Sequence, residues 1–571
     1  MFPNTAYYPV SPVTDPASGY PGFSPGITLL PKGYTEQEGR LPFACDTLCM
    51  RDQAITLRDG TVIYADIYRP AGDQPVPAIL AWGPAGKRGR NLAQALNRPA
   101  GSAGPKVDLT PLNKGQAGLP DISMTSGLQA WNGPDPAVWV QYGYAIVNAD
   151  PRGIFASEGD IQYFGTTDAH DGYDCIEWIA AQDWCTGKVG MSGTHWYGIE
   201  QWFIAAACPP HLAAIAPGEC HGNLYLDEFV RDGIPRLDYS ARTRSYSTHA
   251  CQIEDICAMA EKYELKNEYW EDKAADFTRI AIPTYVTASW TQTNHSRGVF
   301  EGFERVASRD KWLRVHDGGE FFDYRREEVV RDLVHFFDRF LKGADNGWEN
   351  TPRVRLSLLD PGGTNIVERP EDTFPPERTR MRSLYLHTNG TLSDTPQTTE
   401  GTVSYPADDG ISCARFTLRF TERTELVGYS SLRLWLRALD CDDADIFVRL
   451  YKLDRDGNKL WCTTGNAYSG PNGRLRASHR ALDTVASEPL RPVHTHTQKQ
   501  LLSPGEIVPL EIGIWPTGLI FEQDEQLLLE ICGWEIKVAH LSDERIPTCN
   551  HGTHVLYLGG GRDSMLRIPI C

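Results

Sequence analysis

The chain is short of positive charge: across 571 residues, 55 Lys and Arg face 74 Asp and Glu, a formal net charge of −19. A protein that grips nucleic acid by its backbone needs a basic surface to displace counterions, so that class is excluded. No apolar run approaches the roughly 18 residues of a membrane-spanning helix, and no membrane association is expected. The opening stretch MFPNTAYYPVSPVTDP has neither the basic nor the apolar region of a secretory signal, and the terminal Ile570-Cys571 is no prenylation box. Phosphate loops and dinucleotide fingerprints are missing too, so no cofactor is expected. The 14 cysteines follow no spacing: Cys45 and Cys49 lack a second pair, while Cys175, Cys208 and Cys532 sit in apolar runs. Free thiols in a cytoplasmic protein are the simplest reading.

What is present is a globular composition, 41% hydrophobic and 10% aromatic, over a length that calls for several domains. Residues 1–40 are rich in Pro, Gly, Ser and Tyr and read as an extended arm. AITLRDGT and VIYADIYRP form a hairpin with Asp59-Gly60 as its turn. VPAILAW (76–82) and YAIVNADPRG (144–153) are buried strands flanking a polar loop over 83–125. Helical spacing over 168–183 predicts a helix that Asp168 or Asp171 could cap. Strand 188–193, helix 196–208 and strand 212–220 follow, then a charged, Tyr- and Arg-rich stretch over 221–278 that reads as a helical cap. Strands at 280–290 and 312–316 and a helix at 326–342 complete the alternation, which implies a parallel sheet with right-handed crossovers. After 352 short alternating segments such as LRLWLRAL and IFVRLYKL predict an all-β sandwich. The expected division is an arm (1–40), an α/β body (41–220 and 279–345), a cap (221–278) and a sandwich (352–571).

Strand, tight turn and helix over 188–208 form the setting of a nucleophile elbow, where flanking glycines let strand and helix pack closely. The glycine frame here is Gly193-Thr194-His195-Trp196-Tyr197-Gly198, so its tip is His195 rather than a serine. Ser192 falls within the strand end, three residues before the tip, and reads as a structural hydroxyl. An imidazole at a helix N-terminus is favoured in its neutral form, able to act as a base or to donate to a carbonyl.

The chain resembles the cocaine esterase and X-prolyl dipeptidyl-peptidase family. The resemblance rests on Leu57-Arg58-Asp59-Gly60, Asp150-Pro151-Arg152-Gly153, Ser157-Glu158-Gly159, Asp171-Gly172-Tyr173-Asp174, Gly187-Lys188-Val189-Gly190-Met191, Ala216-Pro217 and Asp445-Ile446-Phe447-Val448-Arg449-Leu450. It implies an α/β-hydrolase fold with a helical cap, followed by a C-terminal all-β jelly-roll domain. The same resemblance implies a catalytic Ser in the elbow, an oxyanion Tyr in the turn Pro84-Ala85-Gly86-Lys87, an acid in Ser289-Trp290-Thr291-Gln292 and a His after the next strand. At these positions the chain carries His195, Ala85, Gln292 and His316. Without the nucleophile the acyl-enzyme route is closed.

The expected function is therefore non-hydrolytic: isomerisation, cyclisation (including a Diels–Alder-like one) or elimination on a bulky apolar biosynthetic intermediate. His195, His316 and Gln292 are the candidate catalytic residues. Trp196, with its backbone N–H, Ala85, Trp82, Trp290, His221, Tyr225 and Tyr239 are candidates for an aromatic-walled substrate pocket. Two alternatives remain open: a hydrolase using His-activated water, and a binding protein without catalysis. His195, His221, His295 and His316 match no standard metal-ligand spacing, so no metal is expected. The partner is a small, apolar or aromatic molecule, with room for a homo-oligomer.

Overall fold

The computed structural model describes residues 4–9, 13–14, 20, 22–87, 122–237, 251–291, 293–460, 470–535 and 546–571. Gln292, Tyr239 and most of the loop expected over 83–125 lie outside the described residues.

The first of two large sheets has eleven strands. In chain order they are β1 (Gly26–Leu30), β2 (Thr47–Thr56), β3 (Val62–Pro70), β4 (Val76–Ala81), β5 (Ala145–Asp150), β6 (Cys185–Thr194), β7 (Leu212–Gly218), β8 (Thr284–Ser289), β9 (Lys311–His316), β10 (Val354–Leu358) and β11 (Ile366–Glu371). Their spatial order is β11-β10-β9-β8-β7-β6-β4-β5-β3-β2-β1. The run from β5 to β10 is parallel, and β1–β3 add an antiparallel edge through the Asp59-Gly60 turn. Helices α1 (Gly165–Ala180), α2 (Trp196–Ala206), α3 (Thr293–Arg305) and α4 (Glu327–Leu341) make the crossovers. Central strands such as β5 are buried along their whole length, which is why they read as unbroken apolar runs.

Several motifs that carry the family resemblance prove to be ties between elements. Arg58 holds Asp174 of α1 through Nε and Nη2, and Arg152 spans Asp171, Asp59 and Thr61. The Ser157 hydroxyl donates to the Asp150 carbonyl at 2.7 Å. Because its carboxylate serves Arg152, Asp171 does not cap α1, and Asp168 instead accepts from the Trp82 indole. The N-cap position is Phe164, with a positive φ of 59° and no side-chain cap.

The cap is less helical than its composition suggested. Among the described residues it contains a π-turn (Tyr225–Phe229), a small hairpin (Val230–Arg231 with Ile234–Pro235), strand Gln252–Glu254 and helices Ile256–Lys262 and Glu268–Asp272. Gln252–Glu254 pairs with Tyr7–Pro9, so the N-terminal arm is fastened to the cap as well as to the sheet edge.

The second sheet is antiparallel and also has eleven strands, built around the long strands Thr424–Leu439 and Val508–Phe521. β10 and β11 fall in sequence near the expected start of the sandwich, but they extend the first sheet, with β10 parallel to β9. Trp290 seals the junction: its indole donates to the Ser357 carbonyl at 2.5 Å and stacks on Phe300, while Gly518 of the sandwich has no room for a Cβ against that ring.

Candidate active site

The elbow is built as the glycine frame requires. β6 ends at Thr194, α2 starts at Trp196, and His195 between them takes φ 56° and ψ −124°. A side chain held at positive φ is strained and persists only when its surroundings fix it. Here its N–H donates to the Gly218 carbonyl at 2.9 Å, and its own carbonyl accepts from Gly198 and Ile199. Gly198 lets α2 approach β7: a Cβ there would lie 2.6 Å from the Gly218 carbonyl oxygen. His195 is half-buried.

Both hydroxyls beside the tip are engaged in hydrogen bonds. Ser192 is buried in the strand end, and its oxygen shares a 2.8 Å hydrogen bond with the Tyr324 phenol. The Thr194 hydroxyl donates to Glu320 at 3.0 Å.

Three imidazoles gather at the tip. The His295 ring, from the first turn of α3, lies 4.4 Å from the His195 ring and 4.9 Å from that of His221. His221 follows β7 and pairs with Glu228 at 3.1 Å, and Arg236 backs that carboxylate. Burial, with His221 adding to it, pushes the His295 pKa down and favours its neutral form. Burial would raise Glu228, but Arg236 and His221 outweigh it and hold the carboxyl well below its usual range.

His316, at the end of β9, belongs to a second group. Its Nε2 lies 2.6 Å from Glu219 Oε1 and 3.6 Å from Asp323. Glu219 follows β7 directly with φ 43°, and its carbonyl also accepts from the His195 N–H at 3.2 Å. One residue thus touches the elbow through its backbone and His316 through its side chain. Burial pushes Glu219 up to about 7 despite His316. Burial alone would lower His316, but Asp323 and Glu219 raise it above its ordinary value. The pair holds on to a proton near neutral pH.

The structure therefore brings His195, His221 and His295 into one cluster, with His316 joined to it through Glu219. Among the described residues, His316 is bonded to the Glu219 carboxylate rather than to His195. Ala85 lies in the turn that faces α2, where the Tyr197 phenol donates to the Gly86 carbonyl at 3.1 Å and Lys87 sits among Asp52, Asp66 and Asp150. Four of the rings expected to wall a pocket pack against the core or the junction between the sheets. Trp82 is core, tied to Asp168; Trp290 seals the junction between the two sheets; Tyr225 packs on Trp270 and His496. Trp196 is 8% exposed, its ring edge-on to Tyr163 and Phe164. Each of these four rings is buried, packed on neighbouring side chains. Glu219, Glu228, Glu320 and Asp323 escaped the sequence reading. The one available signal was Glu219's position just past a parallel strand, where such sheets place their ligands.

Sheet order, elbow and second domain define the class: an α/β-hydrolase scaffold carrying a C-terminal all-β domain. Residues 59–254 match the X-Pro dipeptidyl-peptidase (S15 family) and residues 346–567 match the X-Pro dipeptidyl-peptidase C-terminal non-catalytic domain. The chain is 30% identical over 586 residues to a cocaine esterase of Rhodococcus sp., covering 84% of this chain and 89% of that protein. A CocE/NonD family hydrolase from Staphylococcus aureus superposes with a TM-score of 0.85 at 30% identity, over 99% of each chain. An aminopeptidase from a marine-sediment Thaumarchaeota archaeon shares the fold, with a TM-score of 0.67 at 15% identity over 95% of this chain and 98% of that one. The chain belongs to the cocaine esterase and X-Pro dipeptidyl-peptidase family, a family of enzymes. Among the described residues, no helix is long and apolar enough to cross a membrane.

Proposed function

We propose that this chain is an enzyme in which His195 replaces the elbow nucleophile as a general acid–base, and that it catalyses a non-hydrolytic, proton-shuttled conversion of a small molecule. Isomerisation, cyclisation and elimination are the reaction types this serves. The observation that carries the reading is an imidazole held at the strained tip with the half-buried ring of His295 4.4 Å behind it, while the hydroxyls of Ser192 and Thr194 are engaged by Tyr324 and Glu320. A neutral imidazole beside a second one can take a proton and pass it on, and neither step needs a covalent bond to the enzyme. The polar lining suits a substrate whose reacting carbon is activated by a carbonyl, with its apolar remainder outside the imidazole cluster. A cytoplasmic setting is supported by the thirteen described cysteines, all of which are free thiols.

Incubation with a chromogenic acyl ester and a fluorophosphonate probe tests the reading, alongside a screen of carbonyl compounds for deuterium uptake from D₂O. The expected result is no labelling, no ester turnover, and deuterium exchange that disappears in His195→Ala. Ester turnover that vanishes in His195→Ala would instead make the protein a hydrolase using His-activated water. Labelling at Ser192 would overturn the assignment of the tip.

A further inference from the structure

Away from the elbow, the cap meets the sandwich at a second cluster of imidazoles. The cap hairpin turns at Asp232-Gly233, and the turn presses on His479: a Cβ on Gly233 would come within 2.5 Å of that ring. The neighbouring Arg231 donates to the Asn472 side chain and carbonyl and stacks on Trp515, while the Arg476 N–H donates to the Asp232 carbonyl at 3.0 Å. His494 and His496, two residues apart in an irregular segment of the sandwich, stand in the same junction with their rings 5.8 Å apart. His479, His494 and His496 are all buried there, at 0%, 7% and 2% exposure.

An apolar core gains nothing from three buried imidazoles unless their nitrogens are satisfied. Here they are only half satisfied. His479 Nδ1 and His496 Nδ1 share one hydrogen bond at 3.0 Å, and among the described residues the Nε2 atoms of His494 and His496 have no hydrogen-bond partner. Asp232 offers Oδ1 at 3.9 Å from His494 Nδ1, while its Oδ2 faces Arg231 at 3.8 Å. A carboxylate oxygen of Asp232 and one ring nitrogen each of His494 and His496 lie within 4.8 Å of one another. In a tetrahedral site with bonds of about 2.0–2.1 Å, ligand atoms stand roughly 3.3 Å apart, so small side-chain adjustments close the gap. Asp232 and His496 are also held at positive φ, 51° and 53°, so strained backbone converges on this spot from both domains.

We propose that Asp232, His494 and His496 bind a divalent transition metal, zinc by donor preference, which clamps the cap turn to the sandwich. Two imidazoles and one carboxylate suit zinc, and three protein ligands leave a fourth position for water. His479 is a positioning residue: its hydrogen bond to Nδ1 fixes the His496 ring, as partners of metal-bound histidines do. The clamp is independent of the chemistry assigned to His195.

The test is metal content by mass spectrometry on the full chain expressed with added zinc, followed by cobalt titration of the chelator-treated protein, read by visible absorption. Support is ~1 metal per chain, strong ligand-field bands, and a thermal midpoint raised by zinc in proportion to occupancy. Both binding and bands are lost in Asp232→Asn and in the double variant His494→Gln/His496→Gln, while His479→Gln weakens cobalt binding by roughly 10- to 100-fold. Far-ultraviolet dichroism checks that the variants fold, and the wild-type titration stands alone if they do not. Failure of the wild-type chain to take up either metal overturns the proposal. Uptake that survives the double variant also overturns it, because the metal would then lie elsewhere, the imidazoles around His195 included.

Discussion

Glu219 shows how much one residue can carry. Its carbonyl receives the His195 N–H, and its carboxyl pairs with His316 at 2.6 Å, out of contact with water. Glu219 is pushed up to about 7 and His316 is also raised, so between about pH 4.5 and these folded values the native state binds more protons than the unfolded chain. The stability from this pair is thus present at low pH and is lost as pH rises through the folded pKa values. His295 has the opposite sign: its depressed pKa makes its contribution present above about pH 6.5 and lost on acidification. Replacing Glu219 with Gln should flatten the alkaline limb, removing of order 2 kcal/mol of the pH dependence between pH 5 and 8 while leaving the acid limb in place. Urea unfolding of both proteins across that range measures it; an unchanged alkaline limb would show that the pair does not share a proton.

Among the elements, α2 depends on two close approaches. Gly198 brings it onto the Gly218 carbonyl, and Gly193, at φ 150°, leaves no room for a Cβ beside Tyr197 and the Asn132 carbonyl. A methyl at 198 meets backbone that cannot swing aside, so Gly198→Ala should cost about 1–3 kcal/mol and move His195 off the tip. The expected readout is a lower thermal midpoint together with loss of any His195-dependent exchange. On the opposite side of the sheet, Phe337 of α4 packs against Gly190 and stands edge-on to Trp139 and Tyr144. Phe337→Ala should cost about 3–5 kcal/mol through the cavity it leaves, with the elbow unaffected in the protein that remains folded. Chemical denaturation measures the first effect, and the exchange assay on the folded fraction measures the second.

At the scale of the whole molecule, the two sheets are not separable units. Trp290 and Phe374 fill the seam, Leu359 bridges to Leu519, and Arg491 and Tyr429 of the sandwich reach Glu304. A chain ended after residue 371 would expose this apolar seam, and it should be insoluble or run as aggregate in size-exclusion chromatography, whereas the full chain should unfold in one calorimetric transition. The order of strands and helices, the Asp59-Gly60 hairpin, the elbow with His195 at its tip and the change to an all-β region were legible along the chain. Each depends on residues within a few positions of one another, through hydrophobic period and glycine placement. Local signals could not tell that β10 and β11 would join the first sheet, that Trp82, Trp290 and Tyr225 would turn inward, or that Glu219 would meet His316. Those outcomes depend on which distant surfaces come together to exclude water. The same holds for the imidazoles. Sequence determined that His195 stands at a tight strand-to-helix turn, because such a turn is a local property. Only tertiary structure decided that His295 and His221 stand behind it and that Asp232 of the cap faces His494 and His496 of the sandwich, because side chains so far apart in the chain are brought together by packing alone.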